Sequence, residues 1–246
     1  MKFRIAMLLP IIVLLSACAT QVKSMRTDLI AGANNPVLSG DAYWWRFEVH
    51  MQWPENQAAN WYMDLLLADQ LFAPVIEEFS SQLPVWRFHR RAVRDPGGHR
   101  FAMLFYSDVD LARKVFERIE QRYSFLQNIG LHGIEYVAKS DLSNPPPPGI
   151  AAASDESWYV EIQRTWPYFI KGVSESWLHL LQSMARPALA DQDIPDFDAL
   201  ATIYQKVNDK MSVYWRNQGG HAYLHHLNAI FGYTDVIITE RKLMRF

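Results

Sequence analysis

The sequence predicts an α+β protein, in which a β-α-β-β-α-β unit precedes a mainly helical C-terminal part with a final short strand. Apolar and polar residues alternate between Tyr43 and Trp53, which is the period of a half-buried strand. Over residues 57–80 the apolar positions recur at spacings of three and four, which is the period of a helix. Past the proline run Pro145–Pro148, the helical spacing predominates.

The first unit has the element order of the ferredoxin-like fold, a split βαβ arrangement. Asp95-Pro96-Gly97-Gly98 predicts a hairpin turn, because proline fixes φ and glycine tolerates positive φ. Asp108 is a favourable N-cap for the helix that follows the hairpin. The expected elements are a strand over 43–53, a helix over 57–80 kinked at Pro74, strands over 85–94 and 99–106, a helix over 108–126 and a strand over 133–139.

We expect helices separated by prolines and glycines in the second part. Pro167 is expected to stop a helix that begins near Ser154 or Asp155, and Gly219-Gly220 to close an amphipathic helix over 197–217. Further expectations are a helix over 169–185, a loop over 191–195, a short helix over 221–231 ended by Gly232, and a strand over 236–238. The expected domains are a signal peptide over 1–17, a lipidated tether over 18–40, a ferredoxin-like unit over 41–142, a proline-rich linker over 143–153 and a helical part over 154–246. If the final strand returns to the first sheet, the helical part packs on that sheet and the two form one composite domain.

Composition restricts the class of partner. The chain has 24 Lys and Arg against 26 Asp and Glu, and this balance argues against a nucleic-acid partner, which requires a basic face. Half of the residues are hydrophobic, enough for a substantial core, and a lone cysteine leaves no disulfide to hold the fold. The nine tryptophans fill that core or form an aromatic binding face.

The N-terminus resembles a bacterial lipoprotein signal. Lys2 and Arg4 precede an apolar run over 5–15, about 11 residues long, whereas a membrane-spanning helix needs about 20. The run ends in Leu15-Ser16-Ala17-Cys18, which resembles a lipobox. The resemblance implies cleavage before Cys18 and its lipidation and acylation, and Ala19 in place of aspartate implies outer-membrane sorting. An ordinary secretory signal peptide is the alternative.

A histidine cluster is the first candidate for chemistry. His221 and His225 are four residues apart on a short predicted helix, so both imidazoles can face one side as half of a zinc site. His226 is adjacent, and His225 and His226 are the candidate catalytic residues. The alternative is that these histidines cap and pack the helix, without metal or catalysis.

Basic residues on one predicted strand are the second candidate. Arg87, His89 and Arg91 alternate, so they share a face that can bind a carboxylate or a phosphate through bidentate contacts. The alternative is a solvated strand face whose charges discourage edge-to-edge pairing.

Two segments resemble the elimination domain of lantibiotic dehydratases and the related thiopeptide-type biosynthesis proteins. Residues 94–98, with the strand over 99–105, look like that family's strand–turn–strand. The sequence His226-Leu227-Asn228-Ala229-Ile230-Phe231-Gly232 looks like its late helix. Their order and spacing fit across most of residues 43–246.

This resemblance implies a shared scaffold, with His225 or His226 in the site. Ala102 and Leu104 stand where the family strand carries arginines for a glutamyl group, so the resemblance does not extend to glutamate elimination.

Two functions therefore remain open. The first is a non-enzymatic, lipid-anchored module on the periplasmic face of the outer membrane, which binds or assembles an envelope protein or peptide and needs no cofactor. The second is an enzyme or small-ligand site that combines His225 or His226 with the strand arginines. Convergence of these side chains on one cavity distinguishes the two functions. We favour the first.

Overall fold

The protein is α+β, with a four-stranded antiparallel sheet, in a computed structural model that describes residues 41–190 and 196–235. Four expected segments lie outside the described residues: the signal peptide over 1–17, the tether over 18–40, the loop over 191–195 and the strand over 236–238.

The strands pair in the order β2-β3-β1-β4, so that β1 and β3 are central. Each neighbouring pair is antiparallel. The alternation that predicted the first strand is confirmed, and so is the hairpin turn, in which Gly98 has a φ of 53°. The strands are β1 (Tyr43–Met51), β2 (Trp86–Ala92), β3 (His99–Ser107) and β4 (Ile134–Lys139).

One side of the sheet packs against three α-helices and a π-helical segment. The helix predicted over 57–80 contains a π-helical segment that ends at Phe72. Pro74 stands in the first turn of the α-helical stretch that follows. Asp108 caps the following helix as predicted, and its carboxylate accepts a hydrogen bond from the Leu111 N–H at 2.8 Å. The helices are α1 (Trp61–Leu66), the π segment (Leu67–Phe72), α2 (Ala73–Glu78) and α3 (Val109–Asn128).

The main core lies between the sheet and these helices. Alternate residues of β1 and β3 point into it, which explains the period of two in the sequence. Aromatic rings fill much of the volume, and Phe116 of α3 meets three strand rings edge-on or tilted. The buried strand residues on this side include Trp45, Phe47, Val49, Met51, Phe88, Phe101, Met103 and Phe105.

Helix α4 (Val160–Leu189) covers the outer edge of β2. The Phe88 N–H of β2 donates to the Ser174 hydroxyl oxygen of α4 at 3.1 Å. Trp177 of the same helix packs on the rings of Phe88 and Phe101. The C-terminal helical part is therefore packed on the sheet through β2.

The expectation that Pro167 ends a helix is wrong, because both Pro167 and Pro187 lie inside α4. A proline cannot donate to the carbonyl four residues earlier, which for Pro167 is that of Gln163. The Ser154 hydroxyl donates to this carbonyl oxygen at 2.8 Å. A side chain from outside the helix thus satisfies the acceptor that Pro167 leaves free.

The expectation that Gly219-Gly220 closes a helix is also wrong. Helix α5 (Phe197–Tyr214) continues as a second π-helical segment (Trp215–His225) and then as α6 (His226–Ile230). A Cβ at Gly219 would lie 2.5 Å from the Trp215 ring, so the glycine leaves room for the indole against the helix backbone. The chain turns at Gly232, as expected, with a φ of 78°.

Across residues 41–190 and 196–235, none of the helices combines the length and the apolar character needed to cross a bilayer.

Candidate functional site

The sheet face opposite α1–α3, here named the open face, carries polar side chains from three adjacent strands. Residues directly opposite one another in an antiparallel pair share a face, so the register identifies which side chains meet. The rows across β2, β3 and β1 are Arg87–Leu104–Arg46, His89–Ala102–Glu48 and Arg91–Arg100–His50, and the last row continues to Tyr136 of β4.

Glu48 is the centre of this arrangement. Its residue is only 3% exposed, and His50 Nε2 lies 2.7 Å from its Oε1 atom. Arg100 Nη1 is 3.4 Å from the same oxygen, and Arg46 Nη1 is 3.7 Å from Oε2. The His50 ring stacks on Tyr136 with 3.9 Å between ring centroids. A buried carboxylate is thus surrounded by three basic side chains, which offset the cost of removing its charge from water.

Two further basic side chains complete the set from β2. Arg87 lies with its guanidinium 5.0 Å from the ring centroid of Trp166, which reaches the open face from α4. Burial lowers the pKa of Arg87 to about 10, so its guanidinium stays protonated at neutral pH. Burial is also the largest cause that lowers the pKa of His89, and the charges of Arg87 and Arg100 lower it further.

We name Arg46, Glu48, His50, Arg87, His89 and Arg100 the basic cluster. Three of its buried polar atoms have no hydrogen-bond partner among the described residues: Arg87 Nε, Arg100 Nε and Glu48 Oε2. Most buried polar atoms in folded proteins are hydrogen-bonded, so each of these atoms can still take a partner from outside the described residues. Two of the three atoms are guanidinium donors, which suit an anion.

Arg91 also lies on the open face, but its side chain contacts residues of the hairpin turn. It forms an ion pair with Asp95 and donates to the Gly98 carbonyl at 3.3 Å. The hydrogen bond to Asp95 is the largest cause that raises the pKa of Arg91. Of the predicted ligand-binding residues, Arg87 and His89 therefore belong to the basic cluster, whereas Arg91 stabilises the turn beside it.

The three histidines of the C-terminal part lie elsewhere, on the second π segment and α6. The His221 and His225 rings stack with 5.1 Å between centroids, and the His226 ring is 5.3 Å from that of His225. Tyr233 Oη lies 3.4 Å from His225 Nε2. None of the hydrogen bonds, ion pairs or ring contacts of the described residues joins these histidines to the strand arginines.

The structure therefore does not bring together the groups that the enzyme hypothesis combines. In the part of the chain that the structure describes, no group of three or more His, Cys, Asp or Glu side chains is arranged to hold a metal ion. His221 and His225, which were predicted to form half of a zinc site, are a pair of stacked, exposed imidazoles. Cys18 lies outside the described residues, so its lipidation stays a prediction.

Sequence reasoning did not identify Arg46, Glu48 and His50 as site residues. The signal was present, because these three residues are the polar half of the alternation that predicted β1. What the sequence lacked was the pairing: β1 and β2 are separated by β3, and only the strand order places Glu48 within reach of residues from β2 and β3.

Comparison with known proteins gives no relative for this arrangement: no protein-family model, no curated protein and no solved structure matches the chain.

Proposed function

We propose that this protein is a lipid-anchored binding module of the cell envelope, whose basic cluster binds an anionic group, a carboxylate or a phosphate. The observation that supports this most strongly is the pair of buried guanidinium atoms, Arg87 Nε and Arg100 Nε, that have no partner among the described residues. Binding rather than catalysis is proposed, because the histidines of the enzyme hypothesis have no link to this cluster.

The charges of the cluster favour an anion. The cluster contains three arginines, Arg46, Arg87 and Arg100, and one carboxylate, Glu48, so these four groups together carry a formal positive charge. Charge-assisted hydrogen bonds from a guanidinium to an oxyanion contribute more than neutral ones. Trp166 covers Arg87 and limits its contact with water, which strengthens such a bond.

We further propose that the sheet and α1–α3 form a ferredoxin-like unit. The element order β-α-β-β-α-β and the strand order β2-β3-β1-β4 with central β1 and β3 support this. In such a unit the helices cover one face of the sheet, and the other face is free to carry a binding site. The resemblance to the lantibiotic dehydratase elimination domain is proposed to extend to this scaffold alone.

For the location, we propose the periplasmic face of the outer membrane, with anchoring through acyl chains on Cys18. The supporting features are the basic start, the short apolar run and the lipobox-like sequence that ends in Cys18. Each buried methylene of an acyl chain contributes about 0.8 kcal/mol, so several chains give a stable anchor.

Calorimetric titration of the purified full-length chain with sulfate tests the binding proposal, because the charge of sulfate is constant around neutral pH. We expect saturable binding, and a loss of affinity of at least about tenfold in Arg100→Gln, since one charge-assisted hydrogen bond contributes roughly 1.5–3 kcal/mol. Glu48→Gln is expected to raise the affinity, because it removes the carboxylate that competes for the same donors.

Arg113→Gln is the matched control, because Arg113 is an exposed arginine on α3 whose ion-pair partner among the described residues is Asp110 of the same helix. Its sulfate affinity should equal that of the wild type. Equal losses in Arg100→Gln and Arg113→Gln would mean that sulfate responds to net charge rather than to the basic cluster, and the proposal would then be wrong.

A second candidate function is supported by a separate surface, the aromatic C-terminal segment over 210–234. Trp215, Ile230 and Phe231 are 56%, 82% and 70% exposed, and the segment contains Lys210 and Arg216 but no acidic residue. Exposed apolar surface of this kind suits the apolar face of an envelope protein or peptide. Photo-crosslinking from position 224 should give a specific adduct that Phe231→Ser abolishes, and an unchanged adduct would contradict this assignment.

A further inference from the structure

Strand β2 also places an arginine on the helical side of the sheet. Arg90 is offset by one residue from His89 and Arg91, so its side chain points away from the basic cluster. There, Arg90 Nε donates to Asp64 Oδ2 of α1 at 2.7 Å. Asp64 is fully buried, whereas about a third of the Arg90 side chain remains exposed. The guanidinium is therefore fixed at one edge by a buried carboxylate and reaches solvent at the other.

A third residue fixes Asp64 in turn. His99 Nε2 lies 3.0 Å from Asp64 Oδ1, and both side chains are fully buried. Because a carboxylate only accepts hydrogen bonds, the imidazole donates here. Each oxygen of Asp64 thus has its own donor, and the carboxylate cannot rotate without losing one of them. Arg90 is held by a rigid partner.

Two indole rings lie next to the Arg90 guanidinium. Its central carbon lies 5.0 Å from the ring centroid of Trp61 and 5.5 Å from that of Trp177. Arg90 Nη2 makes one long contact of 3.4 Å with the Trp61 carbonyl oxygen. Among the hydrogen bonds of the described residues, none uses Arg90 Nη1. The terminal amino groups therefore retain donors for another acceptor.

These groups line an open cleft of about 430 Å³, bordered by Trp61, Arg90, Asn208 and Ser212. Asn208 and Ser212 are four residues apart on α5, so both side chains face the same side of that helix. Neither side chain takes part in a hydrogen bond with another described residue. Ligand pockets of proteins have volumes of about 300–1,000 Å³, so the cleft is large enough for a small molecule.

We infer that this cleft binds a carboxylate carried on a flat apolar body. The carboxylate accepts hydrogen bonds from the terminal amino groups of Arg90, in the two-point geometry that a guanidinium provides. Asn208 and Ser212 supply neutral polar contacts on the opposite wall, and Trp61 supplies an exposed ring for the apolar body. This site uses the other face of β2 and shares no residue with the basic cluster.

The corresponding neutral amide should bind poorly. An amide presents an NH₂ group where a carboxylate presents its second oxygen, and this NH₂ group would face the N–H donors of Arg90. Two donors that meet without an acceptor each lose their hydrogen bond to water. The acid and its amide therefore distinguish recognition by Arg90 from simple packing on Trp61.

Calorimetric titration of the full-length chain with benzoate and benzamide tests the inference, with N-acetylphenylalanine and its amide as a second pair. We expect each acid to bind at least tenfold more tightly than its amide. Benzoate binding would indicate a free small carboxylate as ligand, whereas binding of N-acetylphenylalanine alone would indicate a peptide C-terminus. Both results support the inferred chemistry.

The variants separate this site from the basic cluster. Asn208→Leu and Ser212→Leu fill the cleft and should each weaken benzoate binding at least tenfold, and Arg90→Lys should do the same if the variant folds. Thr202→Leu is the matched control, because it makes the same kind of change at an exposed position of α5 that does not line the cleft. Because the basic cluster is also proposed to bind carboxylates, the loss caused by Asn208→Leu is measured in an Arg100→Gln background as well, where it should be of the same size.

The inference is overturned if no saturable binding of either acid is found. It is also overturned if the amides bind as tightly as the acids, or if Asn208→Leu and Thr202→Leu have equal effects. In these cases the stacked arginine is a purely structural contact between β2 and the helices.

Discussion

The ionisation of His89 follows from the side chains around it. Burial and the charges of Arg87, Arg100 and Arg46 favour the neutral imidazole, whereas Glu48 favours the charged one, and the net result is a pKa below the ordinary value of 6.5. An anion bound in the basic cluster adds negative charge next to this ring. Binding and protonation of His89 are therefore linked.

We predict that sulfate affinity rises as the pH falls below 6.5. The bound anion raises the pKa of His89, so the complex takes up a proton that the free protein does not hold until lower pH. Titrations between pH 5 and 8 should show this rise in the wild type and a smaller rise in His89→Gln. An identical pH dependence in both proteins would exclude His89 from the site.

Tyr204 of α5 and Asp69 of the first π segment form a buried hydrogen-bonded pair. Tyr204 is fully buried, and its hydroxyl donates to Asp69 Oδ2 at 2.5 Å. Burial is the largest cause that raises the pKa of Tyr204 above 10.0, followed by the charge of Asp69. The raised pKa stabilises the fold at full strength below pH 10, and this contribution is lost as the pH rises further, because only the unfolded chain releases the proton.

We predict that Tyr204→Phe lowers the free energy of unfolding by about 1–3 kcal/mol at neutral pH, because Asp69 loses a donor. The remaining stability should also fall less steeply above pH 10 than that of the wild type. Urea unfolding at pH 7 and pH 10.5 measures both effects. Tyr214→Phe, at an exposed position of the same helix, is the control and should change neither quantity.

At the scale of elements, α4 protects the edge strand β2 from solvent. The Phe88 N–H of β2 donates to the Ser174 hydroxyl of α4. An edge strand otherwise presents free backbone donors that can pair with another chain. A single hydroxyl therefore joins the C-terminal helical part to the sheet at this point.

We predict that Ser174→Ala lowers the free energy of unfolding by about 1–3 kcal/mol, because it leaves a buried backbone N–H without an acceptor. Ser183→Ala, at an exposed position of the same helix, where the hydroxyl donates to the Leu180 carbonyl, should have an effect near zero. Equal urea midpoints for the two variants would show that the Ser174 contact does not stabilise the protein.

The elements differ in how well the sequence predicted them, and the differences have physical causes. The strands and α3 follow from local signals: alternation, the turn residues before Gly98 and the capping carboxylate of Asp108. The continuation of α4 through Pro167 depends on Ser154, a contact formed only after the chain has folded. The passage of α5 through Gly219 depends in the same way on the packing of Trp215.

The residues of the candidate sites were likewise predicted where the signal is local and missed where it depends on the folded chain. Alternation placed Arg87 and His89 on one face correctly, because that inference needs only one strand. Their partner Glu48 comes from a strand two positions away in the sheet, and Asn208 from a helix that follows more than a hundred residues after β2. Contacts of this kind depend on topology, which no periodicity in the sequence encodes.

At the scale of the whole molecule, attachment to the membrane is expected to depend on one atom, the sulfur of Cys18. Cys18 is the sole cysteine of the chain, so no other thiol can take the lipid. We predict that Cys18→Ser abolishes cleavage of the signal and attachment of the lipid, which metabolic labelling with a fatty acid and a shift in electrophoretic mobility measure. An unchanged labelled band would contradict the anchor.

Strand β2 has a consequence for the molecule as a whole, because it carries Arg87 on one face and Arg90 on the other. A ligand that shifts the strand by a fraction of an ångström changes the position of both guanidinium groups. Thermodynamic reciprocity then requires that the effect of the first ligand on the affinity for the second equals the effect of the second on the first. Strand β2 can in this way couple a site on one face of the sheet to a site on the other. Titration of sulfate in the presence and absence of benzoate measures the coupling free energy between them.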